Sequence, residues 1–175
     1  MELLATEGPK AVSVTGLCAA LGVSTGSFYH HFGGWDDFLA GFLLHWEHQQ
    51  TARVIELALR HEDPTERFLV MSELAVAVPH APEAAIRAWA YDDATVAAAQ
   101  QRVDQERLGF AEEVIFGLIP DRGRARILAV HLVATFYGLH SVRPPLSADD
   151  VAGVLETFQR HVLADAALVE PPPTV

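Results

Sequence analysis

A chain of 175 residues, half of them apolar, has room for one compact domain or for a small domain packed on a larger one, and too much core-forming material to be disordered. Twelve Lys and Arg stand against 23 Asp and Glu, a formal net charge of -11, which excludes nonspecific nucleic-acid binding through bulk positive charge but leaves a local site open. The single cysteine, Cys18, excludes an internal disulfide and a cysteine-cluster zinc site. No apolar run reaches the roughly 18 residues of a membrane span. The opening Met1-Glu2-Leu3-Leu4 has neither the basic flank nor the long apolar stretch of a signal peptide, so a cytoplasmic location is expected.

Breaks are sparse: Gly8-Pro9, Gly33-Gly34, His61 to Pro64, Pro79 to Pro82, Pro120 to Gly123, and Arg143 to Ser147. The stretches between them are rich in Ala, Leu, Glu, Gln and Arg, with apolar residues at helical spacing and no strand-like alternation longer than about four residues. The fold class is therefore all-α, and Val12-Ser13-Val14-Thr15 reads as the start of a helix rather than a strand. Ser13 is placed to cap a helix whose Val14, Leu17, Cys18 and Leu21 fall at i, i+3, i+4 and i+7, one apolar face. Gly22 follows, where a left-handed residue ends a helix. Ser24 then caps a second short helix with Phe28 and Phe32 inward, and Val23 is read as core with them. Helix, glycine turn, capped second helix is the layout of a helix-turn-helix. The second helix turns small or polar residues outward, and small groups let it approach phosphates or base edges closely.

Residues 35–61 read as one helix with Phe38, Phe42 and Trp46 four apart, Leu39 and Leu43 beside them, and Asp36 and Asp37 in the first turn. Helices near 64–78 and 82–91 follow, each with a proline (Pro64, Pro82) in its first turn. Residues 93–118 form a long helix with Val96, Ala99, Val103, Phe110 and Val114 on one side and Gln100, Gln101, Asp104 and Gln105 on the other. The segment 124–140 is apolar almost all round from Ile127 to Leu139, which predicts burial on every side and so a subunit interface as well as a core. Residues 148–166, with Val151, Leu155, Phe158 and Val162 as a stripe, read as its partner, and Leu132 and Phe158 as reporters of that interface. The tail at 171–175 is expected to be disordered.

Over Gly22-Val23-Ser24, Gly26-Ser27-Phe28-Tyr29-His30-His31-Phe32 and Asp36-Asp37-Phe38-Leu39 the sequence resembles the TetR (tetracycline-repressor-like) family of transcriptional regulators. The resemblance implies a DNA-binding head at 1–34 and a larger helical domain for effector binding and dimerisation at 35–170. It implies a one-component regulator, a repressor, that binds a palindromic operator as a homodimer through helices 124–140 and 148–166 and is released by a small-molecule effector. Carried over by position, the DNA-contact candidates are Thr15, Ser24, Thr25, Gly26, Ser27, Tyr29 and His30. Tyr29 and His30 would contact phosphates, and Thr25 and Ser27 would read base edges. The chain departs from the pattern in two places. Only Met1 to Glu7 correspond to the family's first helix, which is thus expected to be truncated by about two turns, and Trp35 stands where a lysine is frequent. Residues 1–52 contain one Lys or Arg, Lys10, against Glu2, Glu7, Asp36, Asp37 and Glu47, which predicts weak phosphate contacts. The alternative is a TetR-like dimer with a degenerate head that binds a ligand but not DNA.

Trp46, Phe68, Trp89, Phe110, Phe136 and Tyr137, with His131 as a polar anchor, are the candidate ligand-binding residues; ordinary core is the simpler reading of any one of them. His45 and His48, three apart, are read as exposed helix residues, and no metal or cofactor is expected. No G-x-S-x-G, phosphate-binding glycine loop or H-E-x-x-H occurs, and the carboxylate pairs Asp92-Asp93 and Asp149-Asp150 sit where helices begin, so an enzyme is not expected.

Overall fold

The computed structural model describes residues 1–77, 80–142 and 146–168, and all its regular elements among them are helical. The expected breaks at 79–82 and 143–147 fall partly outside those residues, and the expected tail at 171–175 wholly outside them. In chain order the helices are α1 (Glu2–Glu7), α2 (Val14–Leu21), α3 (Thr25–His31), α4 (Trp35–Glu47), α5 (Arg53–Ala58), α6 (Pro64–Ala77), α7 (His80–Trp89), α8 (Ala94–Leu118), α9 (Arg122–Ser141) and α10 (Ala148–Ala167). A 3-10 turn, Pro9–Ala11, separates α1 from α2.

The chain forms two compact units, Met1–Gln50 with Pro79–Val103, and Thr51–Val78 with Asp104–Val175. In the first, α1 packs on α7, and α2 on α3. Its core joins Leu4, Val12, Leu39, Leu43, Trp46, Ile86, Trp89, Val96, Ala99 and Val103, with Phe38 and Phe42 half-buried against it. This is the face of α4 that the four-residue spacing of aromatics predicts. Glu47 at the end of α4 is joined to Arg102 of α8 by two hydrogen bonds, 2.5 Å from Nη2 and 3.2 Å from Nε. The hydrogen bond to Glu47 raises the pKa of that guanidinium above its ordinary value, with Coulomb attraction to the same carboxylate adding to it and burial opposing it.

In the second unit α5 and α10 pack on α6, and α9 on α10. Phe68, Met71, Val114, Ile115, Ile119, Ala125, Leu128, Ala129, Phe158 and Val162 are buried in one core. Polar links close the helix ends: Arg126 donates to Glu112 at 3.1 Å, Arg124 to Asp165, and Arg122 to Glu113 while lying 3.7 Å over the Phe116 ring. The carboxylates beside the helix starts are caps. Asp93 accepts from Thr95 N and Val96 N at the start of α8, and Asp150 forms a capping box with Ser147 at α10.

Several expectations are corrected. The helix over 35–61 is not continuous: a π-helical turn, His48–Ala52, separates α4 from α5, and Gln50 and Thr51 within it are buried. A π turn inserts a residue and shifts the side-chain phase, which apolar spacing alone does not reveal. Leu21 is 71% exposed because it is the last residue of α2, at the rim where Gly22 turns the chain away, and Val23 in that turn is 45% exposed rather than core. Phe32 is half-buried, since it caps α3 outside the helix proper. Gln100, expected on the outer side of α8, is buried. Phe158 and Leu132 belong to the second unit's own core, Phe158 buried and Leu132 half-buried against it, because α9 and α10 turn those residues toward α6 and α8. The outward face of α9 carries instead Gly123, Ile127, Val130, His131, Ala134 and Gly138, all exposed in the single chain. The outward face of α10 likewise carries Gly153, Val154, Thr157, His161 and Ala164, with Leu168 exposed just beyond its end.

Candidate nucleic-acid interface

The head is built from local rules. Ser13 Oγ accepts from Gly16 N at 3.1 Å and starts α2. Gly22, at φ 66° and ψ 29°, ends it in the left-handed conformation that glycine adopts without a Cβ clash. Val23 N then donates back to Cys18 O at 3.0 Å and Gly22 N to Ala19 O at 3.3 Å, so two of the last carbonyls of α2 are satisfied within the turn. One residue later Ser24 Oγ accepts from Ser27 N at 3.1 Å and starts α3. Two caps and one glycine thus fix where both helices begin and how tightly the chain reverses.

The inward side of α3 is aromatic. Phe28 is buried, with ring centroids 5.1 Å from Phe32 and 5.6 Å from Phe38, so α3 is pinned to the start of α4. The turn before α4 is held by Asp37, whose Oδ2 accepts from Gly33 N at 3.1 Å. Trp35, in the place where a lysine is frequent in the resembling family, packs 5.5 Å from Phe38.

The outward side collects the expected DNA-contact residues. Thr15, Ser24, Thr25, Gly26, Tyr29 and His30 are exposed and Ser27 is half-exposed. Six of the seven belong to α3 or its cap, and Thr15 lies in the first turn of α2. A Cβ on Gly26 would meet only Ser24 Oγ, at 3.7 Å, so Gly26 is not demanded by packing and leaves the surface of α3 low. Tyr29 stands 59% exposed, its ring edge-on to Phe28 at 5.3 Å, which orients the phenol outward. His31, exposed and 5.4 Å from the His30 ring, joins this surface. The electrostatics are spare: Lys10, exposed in the 3-10 turn, is the one Lys or Arg in residues 1–52.

The expected ligand-binding residues are distributed over both units. Trp46 and Trp89 are buried in the core of the first. In the second, Phe68 is fully buried and Phe110 half-buried against the core. His131 is exposed, its ring edge-on to Phe158 at 5.2 Å. Phe136 and Tyr137 are neighbours at 5.9 Å, and the Arg107 guanidinium lies 5.6 Å and 6.0 Å from their centroids. Around them Arg107 Nε donates to Thr51 Oγ1 at 3.0 Å and Tyr137 OH to Asp104 Oδ1 at 2.6 Å. Sequence reasoning missed Arg107, Thr51 and Asp104, since a polar residue that folds inward carries no periodic signal. Among the described residues no group of three or more His, Cys, Asp or Glu could hold a metal ion, and no helix is long and apolar enough to cross a membrane.

A capped helix pair reversed by a left-handed glycine, with a small-residue second helix outward and an aromatic floor beneath it, defines a helix-turn-helix head. Residues 1–41 match the family model described as bacterial regulatory proteins, tetR family, so the N-terminal head is similar to the DNA-binding domain of those regulators. Neither a curated protein nor a solved structure matches the chain.

Proposed function

We propose that this protein is a repressor that binds a palindromic operator as a homodimer through α3 and is released by a small-molecule effector. The observation that carries the reading is the outward surface of α3: Thr25, Gly26, Tyr29 and His30 exposed on a helix whose start, reversal and floor are fixed by Ser24, Gly22 and Phe28. Such a helix enters a major groove with its first residues at the base edges, and the hydroxyls of Thr25 and Ser27 are the groups there that donate and accept. Two of these helices, about one turn of DNA apart, require two-fold symmetry in both protein and operator.

The dimer reading is supported by the outward faces of α9 and α10. Ile127 is 64% exposed and Val130 44%, on a face with no charged side chain at its centre. An added Cβ would meet nothing within 4 Å at Gly153, inside α10, or at Gly138, in the last turn of α9. A second copy approaching by the same faces, as in a four-helix bundle, would be admitted closely by their lack of a side chain. The candidate effector residues are Trp46, Phe68, Trp89, Phe110, His131, Phe136 and Tyr137, and differential binding to the two head geometries is what shifts the population toward release.

A second reading, a ligand-binding dimer whose head does not bind DNA, is favoured by the acidic balance of residues 1–52, where Lys10 stands alone against five carboxylates. Selection from random duplex DNA at low salt decides between them. Enrichment of a sequence with two-fold symmetry and half-sites one helical turn apart is expected. A pool that stays at its input composition overturns the repressor reading in favour of the second.

A further inference from the structure

We propose that the head holds the DNA backbone with the imidazolium forms of His30 and His31, so that operator binding takes up protons and strengthens as the pH falls. The inference rests on the repressor reading above and names the regulation of its DNA site. The head is short of permanent positive charge. Lys10 is the one Lys or Arg in residues 1–52, and the two arginines that complete the first unit, Arg87 and Arg102, are engaged by Glu83 at 3.1 Å and by Glu47 at 2.5 Å. Duplex DNA is nevertheless held largely through its phosphates, and cationic side chains make the contacts that carry affinity. Histidine can supply such a cation conditionally, because an imidazole ordinarily changes its charge between about pH 5 and 8.

His30 and His31 stand where the cation is needed. They are the last two residues of α3, both are exposed, and their rings lie 5.4 Å apart on the surface that carries Tyr29. The ionisable groups around them are few. The packed neighbour α2 carries only the buried Cys18, and the start of α4 carries Asp36 and Asp37, the latter accepting from Gly33 N at 3.1 Å. Tyr29 shares α3, and the rest of residues 1–35 holds Glu2, Glu7, Lys10 and the amino group of Met1. A neutral imidazole offers one N–H donor and no charge, whereas the imidazolium offers two donors and a full charge. A phosphate brought beside the pair favours the charged form of both rings, the more so because two such charges at this spacing repel each other without it. The bound state therefore carries more protons than the free state, and by linkage the affinity rises as the pH falls.

The test uses the full chain with two duplexes: one enriched from a random pool at pH 6 and low salt, and a scrambled duplex of the same composition. From pH 8 to pH 6 the affinity for both is expected to rise by at least about thirtyfold, because phosphates carry no sequence information. The slope of log affinity against log salt is expected to steepen by about 2–4 over the same interval, about 0.9 for each of up to four new contacts per dimer. His30→Gln combined with His31→Gln is expected to hold the affinity within about threefold across that range, and His30→Arg combined with His31→Arg to bind at pH 8 about as tightly as the parent does at pH 6. His45→Gln combined with His48→Gln, exposed positions on α4 and in the π turn after it, is expected to leave the response unchanged. Each single variant of His30 or His31 is expected to remove about half of the slope change, which keeps the test readable should a double variant fail to fold. Specific binding whose affinity and salt slope do not move with pH overturns the proposal and leaves the repressor reading standing. A response that survives the double Gln variant sets the protons elsewhere and overturns it as well. A pool enriched at neither pH overturns the repressor reading and the proposal together.

Discussion

Gly16, the third residue of α2, is where the head tolerates a methyl group least. An added Cβ would lie 2.1 Å from the carbonyl oxygen of Ala11 and 3.2 Å from Ser13 Oγ, where contacts below 3.0 Å essentially never occur. The Ala11 carbonyl therefore has to retreat by about 0.9 Å, and it is not free to do so, because it accepts from Ser13 N at 3.0 Å. The same movement strains the cap in which Ser13 Oγ accepts from Gly16 N. Overpacking of this kind costs about 1–3 kcal/mol and a lost cap about 1 kcal/mol, against a helix-propensity gain of up to about 1 kcal/mol for alanine. Gly16→Ala is thus expected to destabilise by about 2 kcal/mol, lowering the thermal midpoint by about 4–8 °C in a chain of this size. Gly41 in α4 is the matched control: it is exposed, and a Cβ there meets nothing within 4 Å. Gly41→Ala is expected to gain about 0.5–1 kcal/mol. Thermal and urea unfolding of both variants by circular dichroism reads the difference. A Gly16→Ala protein as stable as Gly41→Ala would refute the close approach between Ala11 and α2 and, with it, the fixed start of the helix-turn-helix.

Ser24→Ala removes the cap on Ser27 N and is expected to cost about 1 kcal/mol of stability, whereas Ser24→Asp keeps an accepting oxygen and the stability but sets a negative charge against DNA. Unfolding midpoints and DNA affinity of the pair separate the two roles, and a Ser24→Asp protein that still binds DNA as the parent does would remove α3 from the interface. Ile127→Asp and Val130→Asp, on the exposed face of α9, are expected to give folded monomers in sedimentation velocity, whereas Phe158→Asp, inside the core, is expected to unfold the second unit. A dimer that survives both α9 substitutions contradicts the proposed interface.

What the sequence disclosed, and what it hid, divides by the range of the forces involved. Ser13, Gly22 and Ser24 act on atoms two to five residues away, so caps and turn could be placed from spacing alone, and the structure has them there. The buried stripe Leu39, Leu43 and Trp46 follows from helical period and a neighbouring core. Leu21 and Val23 failed the same reasoning because exposure depends on what lies opposite, which periodicity does not state. The π turn at 48–52 was invisible because its cause is tertiary: Gln50 and Thr51 are drawn inward although neither residue type demands it. In α9 the apolar pattern all round the helix was visible, but not its division. Leu128, Ala129 and Phe136 turn to the chain's own core, and Ile127 and Val130 turn away from it.

The account stands on α3 reading DNA, and the most direct measurement is the affinity of the protein for its selected duplex relative to a scrambled duplex, across a salt series, with the parent chain and with Thr25→Ala. The account predicts a ratio of at least about 10³ for the parent and a shallow salt dependence, because one lysine and few other cations face the phosphates. Thr25→Ala should lower that ratio by about tenfold while leaving the affinity for the scrambled duplex unchanged. A ratio near one for the parent, or one untouched by Thr25→Ala, would contradict it.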